Sequence, residues 1–309
     1  MSGIASVSLN RPLSEFADEL GRSFSEYGFA IVCDHGIPAE LIARADARAR
    51  EFFALPEEVK RRYFIEGGGG ARGYTPFGKE TAKDAAVHDL KEFWHVGRSL
   101  PEDHPLTQYM QPNIWPEEVE SFRDTFTELF AAFDVAGARI LSAVAIHLGL
   151  DEHFFEPTVE DGNSVLRILH YPPVTDPLAE GAVRAAAHGD INAITLLLGA
   201  EEAGLELLTR SGEWLPVQPP QGALAVNIGD MLDRLTAGRL RSTTHRVVNP
   251  KGEAAYRARY SMPFFLHFRP DYLIEPLPEC TEGLDPAEVP EPITAHEFLQ
   301  QRLREIKLA

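Results

Sequence analysis

The chain has 309 residues, 44% of them hydrophobic and 25% charged, and carries a formal net charge of −18. That length buries a sizeable core in one large domain or two small ones. The acidic surplus speaks against nucleic acid as a partner, since phosphate neutralisation requires a clustered basic surface; a small anion remains admissible where one or two arginines meet it inside a pocket.

The opening MSGIASVSLNRPL lacks the basic and apolar regions of a secretory leader. Leu13, Phe16, Leu20 and Phe24 then recur at helical spacing and predict a helix over 13–27. GFAIVCDHGIP follows as a short apolar strand closed by a Gly-Pro turn, and Pro38 opens a second helix running to Leu55. Gly67 to Gly70 and the ARGYTPFGKE after them are expected to be irregular loop. A third helix is predicted from Pro116 to Leu148, and no window is expected to serve as a membrane span.

From about Ser164 the texture changes. SVLRILHY, AITLLLG, GLELLT, GALAVNIG, HRVVN and ARYSMPFFLHF are short β-rich runs separated by turn signals such as RSGE and NPKGE. Such spacing argues for a sandwich or jelly roll rather than a parallel sheet. The expected fold is a single α+β domain. A mainly helical part (1–160) wraps a double-stranded β-helix (jelly-roll) core over 161–270, and an extension over 271–309 ends in a closing helix from Ile293 to Leu308. Cys33 and Cys280 lie in unrelated contexts and build no disulfide framework, which points to the cytoplasm. A monomer is the expected state.

Three pieces carry chemistry. In AAAHGDINAIT, His188 and Asp190 stand two apart, so both side chains can face one way at a strand end. Such a pair is common on surfaces and needs support. His245, in RSTTHRVVNP, opens a strand that a jelly roll can return beside the first. Two imidazoles and a carboxylate then form a facial triad with open positions, suited to Fe(II). Finally, Arg259 and Ser261 share a face of a strand made to be buried, where an arginine is costly unless an anion meets it. The planar guanidinium fork suits a carboxylate. Arg257 shares that face by parity and is a rival for the role.

Taken in order, these segments resemble the iron/2-oxoglutarate-dependent dioxygenases of the isopenicillin N synthase-like superfamily. HGDINAIT resembles their H-x-D strand, VNIGDMLDRLTAGRLRSTTHRVV their distal-histidine region, RYS their R-x-S signature and GFAIVCDHGIP an N-terminal segment. The likeness spans nearly the whole chain. It implies that His188, Asp190 and His245 ligate Fe(II), that Arg259 and Ser261 bind the distal carboxylate of 2-oxoglutarate, and that Tyr171 contacts this cosubstrate. It further implies hydroxylation or desaturation of a small-molecule substrate by O2, with release of succinate and CO2. Two departures stand out: Leu169 where the family often has Asn, and Asp34 where Asn usually precedes His35-Gly36, the latter taken as structural. Arg72, Tyr74, Phe93, His95, Pro263 and Phe265 are candidate pocket residues. His88, His104, His147, His153, His170, His267 and His296 receive no role.

Alternatives remain open at this stage. A 2-oxoglutarate-independent oxidase would use Arg259 and Ser261 for a substrate carboxylate. A non-catalytic metal- or ligand-binding barrel, or a zinc hydrolase with three protein ligands, would also present this triad.

Overall fold

A computed structural model describes residues 3–68, 70–79, 90–173, 183–198, 204–249 and 255–305. His88, Gly69, most of the NPKGE turn and the end of the expected closing helix lie outside the described residues.

Helix α1 (Leu13–Tyr27) forms over the predicted span, with Phe16, Leu20 and Phe24 on its buried side. Gly28 ends it at φ 68°, placing its N–H on the Phe24 carbonyl at 2.8 Å. Helix α2 (Ala39–Phe53) starts directly after Pro38 and stops just short of Leu55, and α3 (Glu57–Lys60) follows. The long helix α4 (Phe122–Leu148) begins later than Pro116. The Glu117 N–H donates to the Tyr63 hydroxyl at 3.0 Å, and that hydroxyl donates to Glu118 at 2.6 Å, so the 116–121 segment is tied down outside the helix. The remaining helices are short: α5 (Glu156–Val159), α6 (Asp230–Leu235), α7 (Pro278–Thr281) and α8 (Ala295–Glu305).

Eight strands form the larger sheet. They are β1 (Ser6–Ser8), β2 (Phe29–Cys33), β3 (Gly73–Thr75), β4 (Glu92–Gly97), β5 (Val165–Tyr171), β7 (Ile194–Leu198), β10 (Leu224–Ile228) and β12 (Arg259–Leu266), in the order β1-β2-β10-β7-β12-β5-β4-β3. A second sheet runs β6-β11-β8-β9, from β6 (Ala185–His188), β8 (Leu205–Leu208), β9 (Trp214–Pro216) and β11 (His245–Val247). A small pair, β13 (Leu273–Ile274) and β14 (Ile293–Thr294), sits before α8. The helices and antiparallel sheets make the expected α+β jelly roll. The β core nevertheless reaches beyond the 161–270 bounds, because β1 to β4 complete the larger sheet. Part of ARGYTPFGKE is likewise not irregular: Gly73, Tyr74 and Thr75 pair with His95, Trp94 and Phe93 at the sheet edge.

Strand alternation sorts the larger sheet into two faces. Trp94, Val96, Leu166, Ile168, Leu196 and Phe264 point outward and join the helices in the main core. Phe133 of α4 stacks on Phe264 with ring centroids 5.2 Å apart, and Phe52 of α2 meets Trp94 edge-on at 4.9 Å. Burying each such ring contributes roughly 2–3 kcal/mol. By length and composition α4 could cross a membrane, contrary to the sequence expectation; here its apolar residues cover the sheet. On the inner face, Phe29, Leu197 and Ala225 pack against Leu205, Leu207 and Val247 of the second sheet. Farther along that face, β12, β5 and β4 present a different set of side chains, among them Arg259, Ser261, Tyr171 and Phe93.

Candidate metal centre and adjoining pocket

His188 ends β6 and His245 begins β11, and the two are register partners in an antiparallel pairing. Their rings therefore meet, with centroids 4.5 Å apart. Asp190 follows two residues after His188, its Oδ1 3.8 Å from His188 Nε2 and its Oδ2 3.8 Å from His245 Nε2. One donor atom from each residue lies within 4.8 Å of the others, and among the described residues no fourth His, Cys, Asp or Glu joins them.

Backbone carbonyls set the tautomers. His188 Nδ1–H donates to Ala186 O at 2.7 Å and His245 Nδ1–H to Thr243 O at 3.1 Å, which leaves both Nε2 lone pairs for a metal. His188 keeps 39% of its side chain exposed, yet the crowding protein and then the His245 ring push its pKa down to about 4, so it is neutral at pH 7. Asp190 is buried, which opposes ionisation. The nearby histidines, Asn227 Nδ2 at 2.8 Å and Thr195 Oγ1 at 2.6 Å outweigh that cost and hold its pKa below the usual value. The VNIGD turn fits against this loop because Gly229 has no side chain: a Cβ there would stand 2.1 Å from the Asn192 carbonyl. The close approach lets the Asp230 N–H bond the Asp190 carbonyl at 2.7 Å. An open triad of two neutral imidazoles and one carboxylate fits Fe(II), whereas a closed structural zinc site would add a fourth protein ligand.

Arg259 and Ser261 are both buried on the inner face of β12, opposite Tyr171 and Leu169 of β5. The Arg259 guanidinium sits 5.1 Å from the Tyr171 ring centre. The rival Arg257 precedes the strand and is exposed, its carbonyl accepting from Arg184 Nη2 at 3.2 Å. Leu169, at the first departure from the family pattern, packs with Phe93 and Tyr171. Asp34 adopts φ 54° and accepts from the Ser8 hydroxyl, while His35 Nε2–H donates to Gly222 O at 2.7 Å, so this turn is structural.

Of the candidate pocket residues, Phe93, His95, Pro263 and Phe265 share the inner face by strand parity, and Arg72 is buried beside Gly97. Tyr74 does not share that face. It points outward, where its hydroxyl donates to the Glu92 carboxylate together with Lys60 at 2.8 Å and His170 Nδ1 at 2.7 Å. Sequence reasoning passed over Arg167, Arg184 and His267. The Arg184 guanidinium lies 5.7 Å from the Tyr171 ring centre. His267, whose Nδ1–H donates to Phe265 O at 3.1 Å, has its pKa pushed down to about 4 by burial and feels the charges of Asp190 and Arg72. The parity that singled out Arg259 would also have found Arg167, on the same face of β5 as Tyr171.

Residues 4–118 match the family described as non-haem dioxygenase in morphine synthesis N-terminal, and residues 162–268 match the 2OG-Fe(II) oxygenase superfamily. A 2-oxoglutarate-Fe(II) type oxidoreductase of Emericella nidulans, hxnY, is 36% identical over 291 residues, covering 90% of this chain and 81% of that protein. The crystal structure of a 2OG-Fe(II) oxygenase family protein from Caulobacter crescentus is 53% identical, with a TM-score of 0.91 over 99% of this chain and 100% of that one. A Neurospora crassa protein solved in complex with alpha-ketoglutarate and thymine is 28% identical, with a TM-score of 0.86 over 97% of this chain and 96% of that one.

Proposed function

We propose, from the premise that the chain belongs to the 2OG-Fe(II) oxygenase superfamily, that His188, Asp190 and His245 hold its Fe(II) and that Arg259, Ser261 and Tyr171 hold its 2-oxoglutarate. The enzyme is an Fe(II)- and 2-oxoglutarate-dependent dioxygenase that acts with O2 on a small-molecule substrate. When bound, iron and cosubstrate together supply the oxidising chemistry, with 2-oxoglutarate converted to succinate and CO2. The chain's own part is placement. Asp190, held by Thr195 and Asn227, presents a fixed carboxylate, and the carbonyls of Ala186 and Thr243 aim the two imidazoles. Arg259 offers its fork to the distal carboxylate of the cosubstrate, Ser261 adds a hydroxyl donor, and Tyr171 walls the arginine.

The observation that carries this reading is the convergence of three metal-capable atoms with both imidazole tautomers already set. Titrating the Fe(II)-loaded protein anaerobically with 2-oxoglutarate should raise a visible metal-to-ligand charge-transfer band. His188→Ala should abolish iron binding, and Arg259→Ala should lose the band at cosubstrate levels that saturate the parent. An unchanged band in Arg259→Ala would refute the assigned cosubstrate site. The same proposal places the enzyme in the cytoplasm as a monomer, with neither nucleic acid nor membrane as partner; the free thiols of Cys33 and Cys280 and the net charge of −18 support it.

A further inference from the structure

We infer that Arg302, on the closing helix α8, is a positioning residue for the metal: paired with Asp230, it clamps the loop that carries His188 and Asp190. The inference rests on the assignment of that triad to Fe(II) above. Helix α8 is anchored by its own first turn. The Glu297 N–H donates to the Thr294 hydroxyl at 3.2 Å and the Glu297 carboxylate accepts from the Thr294 N–H at 3.2 Å, a reciprocal cap, while Ala295 and Phe298 are buried. The Arg234 guanidinium of α6 lies 5.6 Å from the Phe298 ring centre. Arg302 follows Phe298 by four residues and so shares the side of the helix turned to α6.

Arg302 Nη2 is 2.9 Å from Asp230 Oδ2, and its Nη1 donates to Glu305 Oε2 at 2.7 Å, so the guanidinium is held between two carboxylates. Asp230 opens α6 directly after Gly229. It reaches the triad loop twice. Its N–H donates to the Asp190 carbonyl at 2.7 Å, and its Oδ1 stands beside Gly189, 3.3 Å from where a Cβ would be, with the Ser242 hydroxyl at 3.2 Å. Gly189 is the one residue between His188 and Asp190, so a group pressed against it sets both ligands together. The Met231 N–H extends the contact to the Ile191 and Asn192 carbonyls at 3.2 and 3.1 Å.

An ion pair between two exposed side chains contributes little. This one differs at its far end, because the Asp230 side chain is only 18% exposed and its main chain is bonded to that of a metal ligand. Asp230 feels the like charge of Asp190 and the opposite charge of Arg302. With the arginine gone, a largely buried carboxylate loses a cation while its repulsion from Asp190 remains, and the way to relieve both is to turn towards water. That movement withdraws the support at Gly189 and loosens the bond to the Asp190 carbonyl. Thr195 and Asn227 hold the Asp190 side chain; the Arg302–Asp230 pair holds its main chain.

The test compares Arg302→Met, Arg302→Lys and, on the exposed side of the same helix, Arg304→Met with the parent in anaerobic Fe(II) titrations against a competing chelator. Arg302→Met should weaken iron binding about five- to tenfold, less than the roughly 10- to 100-fold typical of a ligand's own partner, because the pair reaches Asp190 through its main chain. Arg302→Lys should restore most of that loss, and Arg304→Met should match the parent. In an Asp230→Asn background Arg302→Met should have no further effect. Hydrogen exchange on the iron-free protein gives a reading that needs no metal. The Asp230 amide, bonded to the Asp190 carbonyl, should exchange faster in Arg302→Met while the amides of α4 are unchanged. Parent-like iron affinity in Arg302→Met, an equal loss in Arg304→Met, a loss that persists in full on Asp230→Asn, or faster exchange throughout α4 would overturn the inference. A parent that fails to bind Fe(II) would instead sink the triad assignment.

Discussion

Replacing Thr195 with valine isolates what the surroundings of Asp190 contribute to metal binding. Valine matches threonine closely in shape and suits a strand, so the change removes one hydroxyl from a buried position on β7. That hydroxyl donates to Asp190 Oδ2 at 2.6 Å, and the other donor to the same oxygen, Asn227 Nδ2 at 2.8 Å, remains. Asn192 loses its 3.1 Å contact to Thr195 but keeps its 2.7 Å bond to Ile194 O, so no second donor is orphaned. The loss is one hydrogen bond to a charged acceptor, about 1.5–3 kcal/mol. Expressed as metal affinity at about 1.4 kcal/mol per tenfold, it falls within the roughly 10- to 100-fold cost typical of removing a ligand's orienting partner. The direction with pH follows too. Asp190 titrates below its ordinary value partly because of this bond, so valine moves its pKa up and lets protons compete with iron to higher pH. Anaerobic Fe(II) titration against a competing chelator, at pH 7 and pH 5.5, would read both effects, with Thr195→Ser restoring the parent behaviour. A folded Thr195→Val protein that binds iron like the parent at both pH values would refute the reasoning.

Two further outcomes concern stability. Glu92→Leu strands the Lys60 ammonium, whose side chain is 9% exposed, without its carboxylate, and should cost about 3–5 kcal/mol by urea denaturation. Adding Lys60→Met should recover most of that loss, and a double variant no better than the single would show the pair to be uncoupled. His267 titrates near 4 in the folded chain against 6.5 in the unfolded one, so the unfolded state takes the proton first as pH falls. Its contribution is complete above pH 6.5 and declines towards pH 4 by up to roughly 3 kcal/mol. The melting temperature of the iron-free protein should therefore fall over that range, more shallowly in His267→Gln; identical slopes would count against a buried neutral ring.

What was legible in the sequence depended on how far each signal reaches along the chain. Helix α1 could be read to the residue because Phe16, Leu20 and Phe24 repeat with the helical period and Gly28 stops it. The start of α4 could not, because Tyr63 holds the preceding segment from a distant part of the chain. The triad was readable because H-x-D and the later histidine have fixed chemistry, and the β6–β11 pairing brings them together. The residues that orient it, Thr195 and Asn227, have no such signature; they matter only because β7 and β10 lie side by side and Asp190 turns back onto them. Tyr74 was misplaced for a related reason. A three-residue edge strand has too little alternation to announce its face, and only its partnership with β4 sends the ring outward to Glu92. Arg167 marks the opposite case, since the sequence already shows β5 as a strand and the family resemblance already singles out Tyr171 on it as a cosubstrate contact. A period of two then puts Arg167 on the same wall without further information.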